Sequence, residues 1–243
     1  MASLLLLSCF VVNSLPLEQK RGRLPHYMRM TREEFDTRLA EGKLALTFVG
    51  MSGIGKTYHS KQLPKLGFKY LSCDDLIAAR LKSPARLETV ADVGRWMGQP
   101  YSEGYRDREK AYLDMEEEVT RESIEDLDQN TVVDTTGSIV YLSESLCANV
   151  KQKLLVVYFN ATSDVYERML SLYHADPKPV VWGAAFKMEK GEDALSALRR
   201  SFPILLDYRA KKYAEIADVV LPASKAWDIE DGQHLLQLIR EQL

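Results

Sequence analysis

Cysteine is scarce: Cys9, Cys73 and Cys147 are the only three in 243 residues. An odd, widely spaced set supplies neither a disulfide framework nor a zinc pattern, and it points to a reducing compartment. His26, His59, His174 and His234 are too scattered for metal-ligand spacing. Net charge is nearly absent, with 32 Lys and Arg against 35 Asp and Glu, a balance of −3. No global field draws in a phosphate backbone, so no nucleic acid partner is expected. No apolar run reaches the roughly 20 residues that cross a bilayer, so no stable membrane span is expected. There is no internal repeat and no low-complexity linker. What remains is ordinary: 46% hydrophobic and 28% charged residues, the composition of a folded globular chain.

The first 30 residues differ from the rest. Lys20, Arg21, Arg23 and Arg29 against Glu18 give +3, which leaves −6 for the remainder. An apolar stretch from Leu4 to Leu15 is too short to span a bilayer and has no basic residue before it. Residues 1–30 read as a leader or a disordered extension, the alternative being an apolar helix docked on the core. The expected location is cytoplasmic, or a plastid or other organelle if that segment is a targeting leader. Residues 31–243 read as one domain.

Within that domain, strands alternate with helices. Thr31 to Glu34 is a capping box opening a helix to about Ala40. Leu44–Val49, Phe68–Leu71, Thr131–Asp134, Leu154–Asn160 and Val219–Leu221 are short apolar runs that read as strands. Helical patterns fall at 74–81, 89–97, 102–127, 163–173, Pro203 to about Ile216, and 228–241. The 108–127 charge run reads as a solvated face. Residues 174–200 hold prolines and Trp182 with little periodicity. Strand-helix alternation of this kind predicts an α/β fold: a parallel sheet with helices on both faces.

The sharpest signal is Gly50-Met-Ser-Gly-Ile-Gly-Lys-Thr57, which matches G-x-x-x-x-G-K-[ST] between a strand and a helix. Glycines let backbone N–H groups close around phosphate oxygens, and the following helix points its positive end at the anion. Gly50, Ser52, Gly53, Ile54, Gly55, Lys56 and Thr57 are the candidate nucleotide-binding residues. Lys56 is placed to reach the β- and γ-phosphates of ATP, and the Thr57 hydroxyl to ligate Mg²⁺. No guanine-reading Asn-Lys-x-Asp follows, and no apolar run ends in Asp-Glu. The size and motif suit a small-molecule kinase.

Six blocks in order carry a resemblance: GMSGIGKT, Ser72-Cys-Asp74-Asp-Leu-Ile, Gly104-Tyr-Arg106-Asp-Arg-Glu109, Thr135-Thr-Gly137-Ser-Ile-Val, Lys178-Pro-Val-Val, and Arg209-Ala-Lys-Lys-Tyr213-Ala-Glu-Ile-Ala-Asp. Together they resemble the shikimate kinases over about 44–224. That resemblance implies a three-layer P-loop kinase fold, a five-stranded parallel sheet in order 2-3-1-4-5, and a lid at about 174–200. It implies ATP and Mg²⁺ as cofactors and a small carboxylated metabolite as phosphoryl acceptor. It also implies Asp74 at the acceptor hydroxyls, Arg106 and Arg209 on the acceptor carboxylate, and Gly137 close to the acceptor. Lys178 takes the place of the lid arginine, and Arg168 the place of an arginine over the adenine. The family's first acid after strand two falls on Ser72, and two of its three consecutive glycines fall on Thr136 and Ser138.

With Ser72 uncharged, Asp134 at the end of strand three is the nearest expected carboxylate for a water on Mg²⁺. The residues by themselves leave other roles open. Asp74 suits a helix N-cap as well as a general base, Asp134 suits a strand-end turn, and Arg106, Arg168, Lys178 and Arg209 suit a solvated surface. The functional alternatives are a nucleotide-binding relative without kinase activity and a kinase of another small acceptor. The oligomeric state is not specified.

Overall fold

A computed structural model describes residues 30–81, 87–161, 169 and 179–243. Helix α1 (Arg32–Ala40) starts where Thr31 accepts the Glu34 N–H, which satisfies one of the helix's four orphan donors. Strand β1 (Ala45–Val49) runs into the Gly50–Thr57 loop and helix α2 (Lys56–Ser60). Then follow β2 (Lys69–Ser72), α3 (Cys73–Arg80), α4 (Val90–Met97) and α5 (Tyr105–Ser123). The second half holds β3 (Thr131–Asp134), α6 (Glu144–Lys153), β4 (Leu155–Asn160), α7 (Ala194–Ile216), β5 (Val219–Pro222), α8 (Ala223–Trp227) and α9 (Gly232–Glu241).

The sheet is all parallel in the order β2-β3-β1-β4-β5, as expected. Apolar content explains which strands lie inside. Every residue of β1 and β3 is buried, and five of six in β4. Strand β2, Lys-Tyr-Leu-Ser, is half-buried throughout, and β5 alternates buried and exposed. Parallel strands covered on both faces need uninterrupted apolar runs, so the two weaker strands take the edges. Helices join successive strands, and the crossing direction reverses between β1 and β3. Ligand crevices form beyond the carboxyl ends of strands at such a reversal.

Several boundaries differ from the sequence expectation. Helix α6 was not anticipated; the Ser143 hydroxyl caps it by accepting the Leu146 N–H. Helix α7 starts at Ala194 rather than at Pro203, with Asp193 accepting from Leu195 and Ser196. Pro203 sits inside that helix on its exposed face. The carbonyl that its missing N–H leaves free can therefore be hydrated, which makes the proline tolerable. The last helix begins at Gly232 behind an Asp231 cap, and a short separate helix precedes it. The expected helix at 163–173 lies outside the described residues, Met169 excepted.

No helix among the described residues is long and apolar enough to cross a membrane. Phe48 on β1 stacks on Phe159 of β4 at 5.1 Å and is fully buried. Phe48→Ala should cost about 3–5 kcal/mol through lost transfer energy and a cavity. A lower urea midpoint at unchanged m-value would show it.

Candidate functional site

The glycine loop is shaped by two positions that only glycine fills. Gly50 has φ 148°, and a Cβ there would stand 2.9 Å from the Phe159 carbonyl oxygen. A side chain would push β4 off β1. Gly55 starts α2 at φ 104°, a left-handed geometry that side chains rarely adopt. The Ile54 side chain is buried against Gly50, so its contribution to a ligand is through the backbone. Ser52 and Gly53 face outward to different degrees, and Thr57 is exposed. Lys56 is buried, with Nζ donating to the carbonyls of Gly50 at 3.0 Å and Met51 at 3.1 Å. It folds over the rim of its own loop.

Asp134 ends β3 beside this loop. It is 4% exposed, and the Tyr70 hydroxyl donates to its Oδ2 at 3.1 Å. Oδ1 makes no hydrogen bond. Burial pushes the Asp134 pKa up, against the Thr57 hydroxyl, the Lys56 charge and Tyr70. Ser72 stands opposite Asp134 in the strand register. Its hydroxyl is used to cap α3, accepting the Asp75 N–H at 3.2 Å. The N-cap is therefore Ser72 and not Asp74, which lies one residue inside the helix.

Helix α5 supplies the opposite wall. Its inward stripe carries Tyr105, Glu109, Tyr112 and Glu116, spaced three and four apart and all buried. The expected solvated charge run therefore holds two glutamates that are not solvated. Glu116 is fully buried and accepts from the Thr136 hydroxyl and from the Ser138 hydroxyl at 2.5 Å. Tyr213 donates to the carbonyl of Gly137 between them. The 136–138 turn is thus held from α5 on one side and α7 on the other. It brings Gly137 beside both the loop and Arg209: a Cβ on Gly137 would be 3.4 Å from Arg209 Nη1 and 3.6 Å from the Gly50 carbonyl. Tyr112 reaches Asp74 Oδ1 at 3.4 Å.

Burial raises the Glu116 pKa to about 7; the two hydroxyls oppose it, Asp74 adds to it and Arg209 opposes it. Glu116 thus lies within electrostatic reach of both Asp74 and Arg209. Glu109 behaves in the opposite way. Burial raises its pKa, but donors from Gly183, Tyr105, Arg106 and Trp182 outweigh that and hold it below the usual range.

The two arginines reach one segment. Arg209 is 4% exposed, donates from Nη2 to the Val181 carbonyl at 2.7 Å, and lies 5.3 Å over the Tyr141 ring. Its Nε has no partner. Arg106, half-exposed, donates to the Gly183 carbonyl at 2.7 Å and to Glu109 at 2.8 Å. Glu109 in turn accepts the N–H groups of Trp182 at 2.7 Å and Gly183 at 3.0 Å. Trp182 is fully buried between Phe186 and Phe202. Val180 to Gly183 is therefore tied to α5 and α7 by side chains and packed into the core.

The fold has solved counterparts. A shikimate kinase from Acinetobacter baumannii, solved in complex with shikimate, superposes with a TM-score of 0.57 at 20% identity, over 85% of this chain and 97% of that one. A shikimate kinase from Bacteroides thetaiotaomicron gives 0.52 at 20% identity, over 82% and 97%. The fold is that of the shikimate kinases. No family model and no curated protein matches the sequence.

Among the sequence-derived candidates, the shikimate-kinase-like fold brings the loop residues 50–57 and Asp134 to the carboxyl ends of the adjacent strands β1 and β3. Gly137 and Arg209 lie directly beside them, and Asp74 and Arg106 flank the same wall. Arg168 and Lys178 lie outside the described residues. Sequence reasoning gave no role to Glu109, Tyr112, Glu116 or Tyr70. The 105–109–112–116 spacing was the available signal for three of them. The surrounding charges concealed it.

Glu116 gives a pH test. Its folded pKa of about 7 lies above the ordinary 4.5. Between those values the unfolded chain releases the proton and the folded chain keeps it. This group's contribution is therefore intact below 4.5 and is lost as pH rises towards 7. Glu116→Gln removes that titration. Melting temperatures of the variant and the native protein should shift relative to each other in the variant's favour across this window. A constant difference would show that Glu116 does not titrate there.

Proposed function

We propose that the protein is an ATP-dependent phosphotransferase that moves the γ-phosphate to a hydroxyl of a small carboxylated metabolite, with shikimate the first acceptor to test. The observation that carries this reading is the position of Gly137, where an added Cβ would meet both the buried Arg209 guanidinium at 3.4 Å and the Gly50 carbonyl at 3.6 Å. A cation held that close to a phosphate loop suits an anionic acceptor. In this reading, Gly50, Ser52, Gly53, Ile54 and Gly55 cradle the phosphates through their backbone. Lys56 exchanges its two carbonyl contacts for the β- and γ-oxygens, and Asp74 orients the acceptor hydroxyl and takes its proton. Arg106 and Arg209 hold the carboxylate. For Arg168 and Lys178 the expected ligands in this reading are the adenine and the γ-phosphate.

Thr57 and Asp134 suit Mg²⁺. A hydroxyl and a buried carboxylate with one unpartnered oxygen face each other there, and hard oxygen ligands match this cation. When bound with ATP, Mg²⁺ neutralises charge on the phosphates during transfer.

Ser72 favours a second reading. Its hydroxyl oxygen caps a helix and carries no charge, so the strand-two acid that the resemblance implies has no charged substitute at that position. A nucleotide-binding protein without turnover would follow if Asp134 does not replace it. An ADP-release assay with shikimate and a panel of hydroxylated acids separates the two. Acceptor-dependent release supports the kinase, whereas ATP binding without release supports the second reading.

Lys56→Ala should reduce acceptor-dependent turnover by on the order of a hundredfold or more, since no other side chain of the loop is cationic. Unchanged turnover would remove the phosphate-loop reading. Arg106→Ala should raise the acceptor KM roughly tenfold with ATP affinity unchanged. An equal loss for both substrates would assign Arg106 to the Gly183 anchor alone.

A further inference from the structure

Strand β2 ends in a residue without charge at the position opposite Asp134. Two residues earlier, on the same face of β2, Tyr70 extends its hydroxyl across the strand pair to Asp134 Oδ2 at 3.1 Å. Tyr70 is half-buried, and its neutral phenol has one O–H to donate to a carboxylate oxygen, which can only accept. The phenol therefore donates and does not accept in this pair. Burial acts most strongly on Asp134, opposed by hydrogen bonding from the Thr57 and Tyr70 hydroxyls and by the charges of Lys56 and Lys61. Of these, Tyr70 makes the hydrogen bond of good geometry.

A carboxylate at a strand end turns about its Cα–Cβ and Cβ–Cγ bonds unless something holds it. With Oδ2 bound to Tyr70, the group is fixed and Oδ1, buried and unpartnered, is the oxygen left for a ligand. We infer that Tyr70 is a positioning residue: its hydroxyl holds Asp134 Oδ2 and so aims Oδ1 at the water shell of Mg²⁺ beside Thr57. This rests on the reading of Asp134 as the metal-side carboxylate. It explains how a β3 acid serves where β2 carries Ser72: the neighbouring strand supplies the charge, and β2 supplies the group that orients it. Partners that orient a metal-side carboxylate commonly change metal affinity tenfold or more when removed.

The test is Tyr70→Phe, which keeps the ring and removes one hydroxyl. Binding of a fluorescent ATP analogue is titrated with Mg²⁺ and, separately, measured in EDTA; thermal melting of the metal-free protein checks the fold. The Mg²⁺ concentration for half-maximal binding should rise roughly tenfold. Binding in EDTA should not change, because the loop and Lys56 are untouched. Asp134→Asn should move the Mg²⁺ dependence at least as far. If Asp134→Asn shifts it and Tyr70→Phe does not, Tyr70 has no positioning role. If neither shifts it, the assignment of Asp134 itself fails. Equal weakening with and without Mg²⁺, or earlier melting with unchanged Mg²⁺ dependence, makes the hydrogen bond structural and overturns the inference.

Discussion

Two glutamates and two tyrosines on the inner face of α5 must find hydrogen-bond partners away from water, and much of the site is built by how they do so. A buried carboxylate without donors is far costlier than the same group in water. Glu116 meets this cost with the hydroxyls of Thr136 and Ser138, and Glu109 with Arg106 and the N–H groups of Trp182 and Gly183. Each solution fixes a loop. The first sets the turn that carries Gly137 to the phosphate loop, and the second pins 182–183 against α5. A helix interior rich in charge thus becomes a frame for two non-helical segments that a ligand would meet.

Arg209 is governed by the same constraint with the opposite sign. It is held by the Val181 carbonyl and the Tyr141 ring, with Nε left over. A guanidinium this deeply buried needs negative charge or carbonyl oxygens around it. Glu116 provides a nearby carboxyl whose proton burial and Asp74 hold in place, against two hydroxyls and Arg209 itself. The wall beyond the loop is therefore polar, buried and electrostatically coupled.

At the strand ends, β2 carries the uncharged Ser72 and β3 carries the acid. Ser72 and Asp134 are opposite each other in a parallel pair, and adjacent strands lie only about 4.8 Å apart. An acid on either strand therefore stands within one strand spacing of the same crevice, and side-chain direction decides what it reaches. The Tyr70 hydroxyl, 64 positions from Asp134 in the chain, sets that direction.

The strand, loop and helix around Gly50–Thr57 were determined by the sequence alone, because each depends on residues within a few positions of one another. Gly50 and Gly55 mark the turns, and the apolar run of β1 demands burial on both faces. The strand order rested on the resemblance, and the half-buried and alternating patterns of β2 and β5 at the edges were seen only in the folded sheet. Helix α6 was not legible, because its one clear local signal, the Ser143 cap, opens a segment of mixed polarity. The extra turns of α7 before Pro203 were hidden by the proline. The roles of the α5 glutamates, Tyr70 and the Val180–Gly183 segment were decided only by tertiary structure. An exposed and a buried glutamate look alike in a charged helix, and what distinguishes them is which distant groups pack against each face. Arg209 meets Val181 from 28 positions away, Tyr213 meets Gly137 from 76, and Glu109 meets Trp182 from 73. Contacts of that range exist only once the sheet has brought the loops together, because no local pattern of residues encodes the neighbour a side chain will find.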